Sequence, residues 1–148
     1  MAPLAPESER VAAGRLFLKE IERYVSARRD FGFETTLAGR AYLRLIRRLR
    51  ENGWRVELIY LALPDPDMAR NRVAERAAHG GHGIPDADIE RRFYRSLSNL
   101  FAHYAAAVDR TVCFFSAGQL PEKVFTQRGE DCEVRKPALF RAMVEMTS

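Results

Sequence analysis

Arg70, Arg72 and Arg76 stand just before a glycine-rich break, Gly80-Gly81-His82-Gly83, and Arg91, Arg92 and Arg95 stand just after it. Guanidinium groups stay charged and bind phosphate oxygens in a fork. Two basic segments joined by a flexible loop can therefore close over a polyanion. In phosphoryl transfer, arginines carried on such a lid offset the charge of the transferred group. The plainer reading is a pair of solvated helix faces, on which Glu75, Asp86, Asp88 and Glu90 offset several arginines through i,i+4 pairs.

A second cluster lies upstream, in Phe31-Gly32-Phe33-Glu34-Thr35-Thr36, followed by Leu37-Ala38-Gly39-Arg40. A short apolar run ends on a carboxylate and two hydroxyls, as a buried strand does when it delivers polar groups to the rim of a sheet. Ligands of open α/β sheets sit at that rim. Here too a plainer reading stands beside it, in which Glu34 or Thr35 caps the next helix. His79 and His82 have metal-ligand chemistry, but no third ligand has a matching position, so no metal site is expected. There is no Gly-x-Ser-x-Gly elbow, and Cys113 and Cys132 have neither metal-ligand spacing nor an evident catalytic partner. His103 reads as a helix residue with no site around it.

The elements that must position these groups follow from periodicity. Val11, Gly14, Leu18, Ile21 and Val25 recur at helical spacing, widened by Leu16, Phe17 and Tyr24. A strand is expected over 31–34 and a basic helix over 39–52, with Tyr42, Leu45, Ile46 and Leu49 inward and Asn52-Gly53 as its stop. Residues 54–63 become the continuous apolar run Leu58-Ile59-Tyr60-Leu61-Ala62-Leu63, which predicts a parallel strand covered on both faces. Asp65 and Pro66 mark the cap and first position of a helix to about His79. A long helix follows from Asp86 to about Val108, with Ile89, Phe93, Leu97, Leu100 and Tyr104 inward. Residues 111–115 read as a third buried strand, 123–127 and 132–136 as a hairpin, and 138–146 as a terminal helix. Strands alternating with helices make an α/β class.

At 148 residues the chain fits one domain with a sizeable core. With 47% apolar and 30% charged residues it is globular and not disordered. The +4 net charge suits anionic partners without choosing among them. Charges at Glu7, Glu9, Arg10, Arg15 and Lys19 break up any signal-peptide core, and no stretch approaches the ~18 apolar residues of a membrane span. A cytoplasmic protein without a membrane partner is expected. Nucleic acid is not expected either, because the aromatics Tyr42, Phe93 and Tyr104 fall on core faces instead of among the arginines.

Three separated motifs together resemble the zeta-toxin family of P-loop kinases, in the branch described as predicted ATPases. The matching pieces are Pro6-Glu7-Ser8 with Ala13-Gly14-Arg15-Leu16; Phe33-Glu34-Thr35-Thr36-Leu37 with Gly39-Arg40; and Arg72-Val73-Ala74-Glu75-Arg76 with Gly80-Gly81-His82. The last continues through Ile84-Pro85, Arg91-Arg92-Phe93 and Arg95-Ser96-Leu97 to Asn99-Leu100, so that residues 6–116 match and 117–148 form a weakly defined C-terminal segment. The resemblance implies a three-layer P-loop NTPase-like parallel sheet with flanking helices, and a kinase using ATP and Mg²⁺ on a small-molecule acceptor. In the characterised toxins that acceptor is a UDP-linked amino sugar. It further implies Glu34 with the lid arginines Arg76 and Arg92 as catalytic residues. Thr35, Thr36, Arg40, His82, Arg91 and Arg95 would be the substrate-binding ones, and an antitoxin protein a partner.

The departures from the family pattern are equally specific. The 148 residues contain no Gly-x-x-x-x-Gly-Lys-Ser/Thr, whose backbone N–H groups cradle nucleotide phosphates. The acidic residue that family members place before the first helix is also missing, and Phe114-Phe115 stand where the family has Asp-Asn. The chain is expected to begin just after the strands bearing these groups, as a truncated product or misplaced start, and to be inactive by itself. A non-catalytic nucleotide- or partner-binding module is the alternative, and a basic nucleic-acid binder ranks last.

Overall fold

The computed structural model describes residues 6–80, 84–118 and 120–148. They divide after Glu34 into two compact units.

In the first unit a helix, α1 (Pro6–Ser26), ends as Arg28 turns into the left-handed region at φ 55°. The expected strand over 31–34 is not formed: this segment has no ladder. Its aromatic rings pack locally instead. Phe31 stacks on Tyr24 at 5.8 Å between centroids, and Phe33 meets Phe17 edge-on at 5.2 Å. Such contacts satisfy aromatic residues without backbone pairing. The wide apolar stripe expected of α1 is not buried either. Ile21 is buried, whereas Val11, Leu16 and Leu18 are exposed.

The second unit runs in the order α2 (Tyr42–Glu51), β1 (Glu57–Ala62), α3 (Pro66–Ala78), α4 (Asp86–Asn99), a π-helical turn (Leu100–Tyr104), α5 (Ala105–Ala107), β2 (Arg110–Phe115), β3 (Glu122–Arg128), β4 (Asp131–Val134) and α6 (Pro137–Glu145). The fold is mixed α/β. Among the described residues the sheet has four strands in the order β1-β2-β3-β4. β1 and β2 are parallel, whereas β3 and β4 add antiparallel as the expected hairpin, so the sheet is mixed. Between β3 and β4 the short Gly129-Glu130 turn, with Gly129 at φ 59°, leaves no room for a crossover helix and so requires antiparallel pairing.

The core lies between the sheet and α4 with its π-helical continuation. Leu97, Leu100, Tyr104, Cys113, Val124, Phe125 and Met143 are all 2% exposed or less. Phe101, Phe125 and Phe140 form a ring cluster with centroids 5.3–5.8 Å apart. The inward residues expected of the long helix, Ile89, Leu97, Leu100 and Tyr104, are buried, with Phe93 packed against them. β1 differs from expectation. Leu58, Tyr60 and Ala62 face the core, but Ile59 is 73% exposed and Leu61 45%, so its other face is uncovered.

Two side chains on the long helix fix the backbone that precedes α2. Asn99 Nδ2 donates to the Leu37 carbonyl at 2.8 Å, and the Tyr104 hydroxyl donates to the Gly39 carbonyl at 2.7 Å. Leu37 is buried and held at φ 62°, a conformation that a bulky residue adopts at a steric cost.

Candidate functional site

At the carboxyl end of β1 the second unit forms a cavity of about 210 Å³. Three elements build it. β1 and the residues after it supply Tyr60, Leu61 and Leu63. α3 supplies Ala69 and Val73. α4 supplies Ile89, Arg92, Phe93 and Ser96, and Thr36 comes from the pinned segment before α2.

α3 starts where the sequence says it should. Asp65 Oδ1 accepts from the Met68 N–H at 2.9 Å, and Pro66 occupies the first helical position. α4 presents Ile89, Phe93 and Ser96 on one side because three- and four-residue spacings share a helix face. Arg92 follows at the same edge.

Most of the lining is apolar. The Tyr60 hydroxyl and Ser96 Oγ lie 2.8 Å apart, sharing one hydrogen bond in a half-buried setting. Burial pushes the Tyr60 hydroxyl up to about 12, against which the Ser96 hydrogen bond works. Thr36 Oγ1 accepts from the Ala38 N–H at 3.4 Å and keeps its own proton for donation. Arg92 makes no ion pair among the described residues, and the described lining holds no carboxylate. A cavity with hydroxyls and one guanidinium, and no acid, suits an alcohol or an anion.

Of the expected site residues, the structure brings Thr36 and Arg92 together in this cavity. Arg76 lines a separate groove of about 660 Å³ with Arg72, Glu75 and His79, where Arg72 donates to Ser116 Oγ at 3.2 Å. Thr35, Arg40, Arg91 and Arg95 are exposed and do not line the cavity. Thr35 Oγ1 accepts from the Leu37 N–H at 3.3 Å. Arg91 is paired with Asp88 one turn back, and Arg70 is held by Asp67 and, at 3.5 Å, by Glu90. The Asp67 hydrogen bond raises the Arg70 pKa further above its ordinary value. Thus the acidic residues do offset two lid arginines, though at i,i+3 spacing and across α3 and α4. Glu34 is an exposed residue of the first unit, and His82 lies outside the described residues. Tyr60 and Ser96 were not anticipated. The signal for Ser96 was a small polar residue beside the apolar stripe of Ile89, Phe93 and Leu97.

Among the described residues, the turn after β1 and the cavity beside it do not fit a seated nucleotide. The turn after β1, Leu63-Pro64-Asp65-Pro66, has two prolines without N–H groups. The Asp65 carboxylate occupies the N-terminus of α3, where a phosphate would otherwise be held. The described cavity also lacks the carboxylates that usually hold Mg²⁺.

A model of the zeta toxin family matches residues 7–130. The chain belongs to the zeta toxin family. Membership implies a kinase-like P-loop domain. An uncharacterized protein of Haemophilus influenzae is 25% identical over 91 residues, covering 62% of this chain. The match spans 65% of that relative's length. No solved structure matches the chain. No helix among the described residues is long and apolar enough to cross a membrane.

Proposed function

We propose that these residues form the acceptor and lid side of a zeta-toxin-type small-molecule kinase, with Arg92 gripping the transferred phosphoryl group and Thr36 beside it. The observation that carries this reading is the cavity at the carboxyl end of β1, where, among the described residues, one guanidinium without an ion pair and three hydroxyls line the same space and no acid does. Ligands of α/β sheets collect at that end of the strands. Arg76, which lines the separate groove on α3, enters this reading from the family resemblance as the second lid arginine, and Arg91, Arg95, Arg40, Thr35 and His82 enter it the same way as substrate-binding residues. Glu34, an exposed residue of the first unit, comes to this reading as the acceptor-side carboxylate from the family resemblance alone. A nucleotide donor with Mg²⁺, and an antitoxin protein as partner, come to this reading from family membership. The acceptor is a small-molecule alcohol, of which the toxins' UDP-linked amino sugar is one.

With no Gly-x-x-x-x-Gly-Lys-Ser/Thr, Met1–Ser148 by itself grips phosphate but does not turn over ATP. Two measurements on the purified chain test this. Equilibrium dialysis with pyrophosphate should show saturable binding that falls at least tenfold in Arg92→Ala. Incubation with ATP, Mg²⁺ and UDP-N-acetylglucosamine should yield no phosphorylated product. Equal pyrophosphate binding by Arg92→Ala, or ATP-dependent phosphorylation above background, would overturn the reading.

A further inference from the structure

The cavity at the end of β1 has a composition that narrows its ligand, taking as given the phosphoryl-gripping reading above. At about 210 Å³ it lies below the roughly 300–1,000 Å³ of sites that enclose drug-sized ligands. Leu61, Leu63, Ala69, Val73, Ile84, Ile89 and Phe93 make up most of its wall.

Among the described residues its polar side chains are few and can be counted by atom. Tyr60 and Ser96 have one O–H each and are 2.8 Å apart, so one proton is spent between them and one remains to donate. Thr36 has one proton left after its oxygen accepts from the Ala38 N–H. Arg92 offers its fork. A pyranose ring entering this space would bring several hydroxyls against leucine, valine, isoleucine and phenylalanine. Each hydroxyl would leave water without gaining a partner. An alkyl or alkenyl body makes no such demand, and one oxygen on it meets the proton left by the Tyr60–Ser96 pair.

We propose that this cavity is the binding site for a compact, apolar-bodied primary alcohol and its monophosphate ester. The hydrocarbon lies on Val73, Ile89 and Phe93, the ester oxygen accepts from the Tyr60–Ser96 pair, and the phosphate is held by Arg92. Tyr60 and Ser96 then set specificity, since removing either hydroxyl leaves the other without its partner and moves the remaining proton.

The test is isothermal titration of the whole 148-residue chain with four probes: 3-methylbutyl phosphate, UDP-N-acetylglucosamine, UDP and inorganic phosphate. 3-Methylbutyl phosphate should bind at least tenfold tighter than inorganic phosphate, and UDP-N-acetylglucosamine no tighter than UDP. Val73→Thr keeps side-chain volume but puts a hydroxyl on the wall. It should erase most of the alkyl advantage while leaving inorganic phosphate unchanged. Tyr60→Phe should weaken the ester about fivefold or more.

Tighter binding of UDP-N-acetylglucosamine than of the alkyl ester, still lost in Arg92→Ala, would overturn the apolar-alcohol assignment and leave the phosphoryl grip standing. Alkyl ester binding indifferent to Val73→Thr and Tyr60→Phe would overturn the assignment to this cavity. If no probe responds to Arg92→Ala, both readings fall.

Discussion

Replacing Asn99 by alanine should loosen the segment that carries Thr36, and the cost can be worked from the geometry. Asn99 Nδ2 donates to the carbonyl of Leu37, a residue 4% exposed and held at φ 62°. If the segment stays in place, the carbonyl loses its partner in a setting poor in water, at about 1–3 kcal/mol. If it relaxes, Leu37 recovers about 1–2 kcal/mol of left-handed strain but gives up burial worth about 1.5–3 kcal/mol. The first route costs about 1–3 kcal/mol and the second about 0–2 kcal/mol, and the two overlap at about 1–2 kcal/mol. Tyr104→Phe removes a comparable bond, but its acceptor is the carbonyl of exposed Gly39, which water can serve, and the ring still fills its place. That change should cost about 0.5–1 kcal/mol. Urea unfolding of both variants and the wild type, followed by circular dichroism, reads the difference. With m of about 2 kcal/mol/M, Asn99→Ala should lower the midpoint by roughly 0.5–1 M at unchanged m. A wild-type midpoint for Asn99→Ala, or a larger loss in Tyr104→Phe, would refute the claim that this contact holds a strained segment.

Three further outcomes follow from burial and charge. Ile59 is 73% exposed on an edge strand, so Ile59→Lys should stay within about 0.5 kcal/mol of wild type in stability and reduce self-association in sedimentation runs. Burial pushes the Cys113 thiol up to about 12, while Cys132 is exposed, so brief treatment with iodoacetamide at neutral pH should add one adduct, at Cys132, by peptide mass spectrometry. Burial also lifts Tyr60 from its ordinary 10.0 to about 12. The unfolded chain therefore loses that proton first, and stability should fall as pH rises from about 10 through 12. Tyr60→Phe should flatten that part of the stability–pH curve.

Legibility in the sequence tracked how locally each feature is determined. The cap at Asp65-Pro66, the stop at Asn52-Gly53, the inner face of α4 and the Gly129-Glu130 hairpin were all readable, because each depends on residues a few positions apart. Gly53 indeed sits at φ 85°, where glycine is at ease. The segment 31–34 was misjudged because Phe31 and Phe33 satisfy a strand pattern and an aromatic cluster equally well. Only the absence of a ladder separates the two. For β1, a continuous apolar run could not reveal that Ile59 and Leu61 lack a covering layer, which is a property of the tertiary arrangement. The π-helical turn at Leu100–Tyr104 has no sequence signal at all, yet it helps set where Tyr104 meets Gly39. For the site, arginine positions were evident, but which arginine faces a cavity was not. Arg92 and Arg91 are neighbours in sequence; one lines the cavity, while the other is paired with Asp88.

The central claim is that phosphate is gripped at the carboxyl end of β1 and not by the basic surface at large. Chemical-shift mapping of the ¹⁵N-labelled chain during titration with inorganic phosphate tests it most directly. Saturable shifts should concentrate at Thr36, Tyr60, Ser96 and the Arg92 side chain, and vanish there in Arg92→Ala. Weak, non-saturating shifts spread over Arg44, Arg47 and Arg48 of α2, with the cavity residues unmoved, would contradict it.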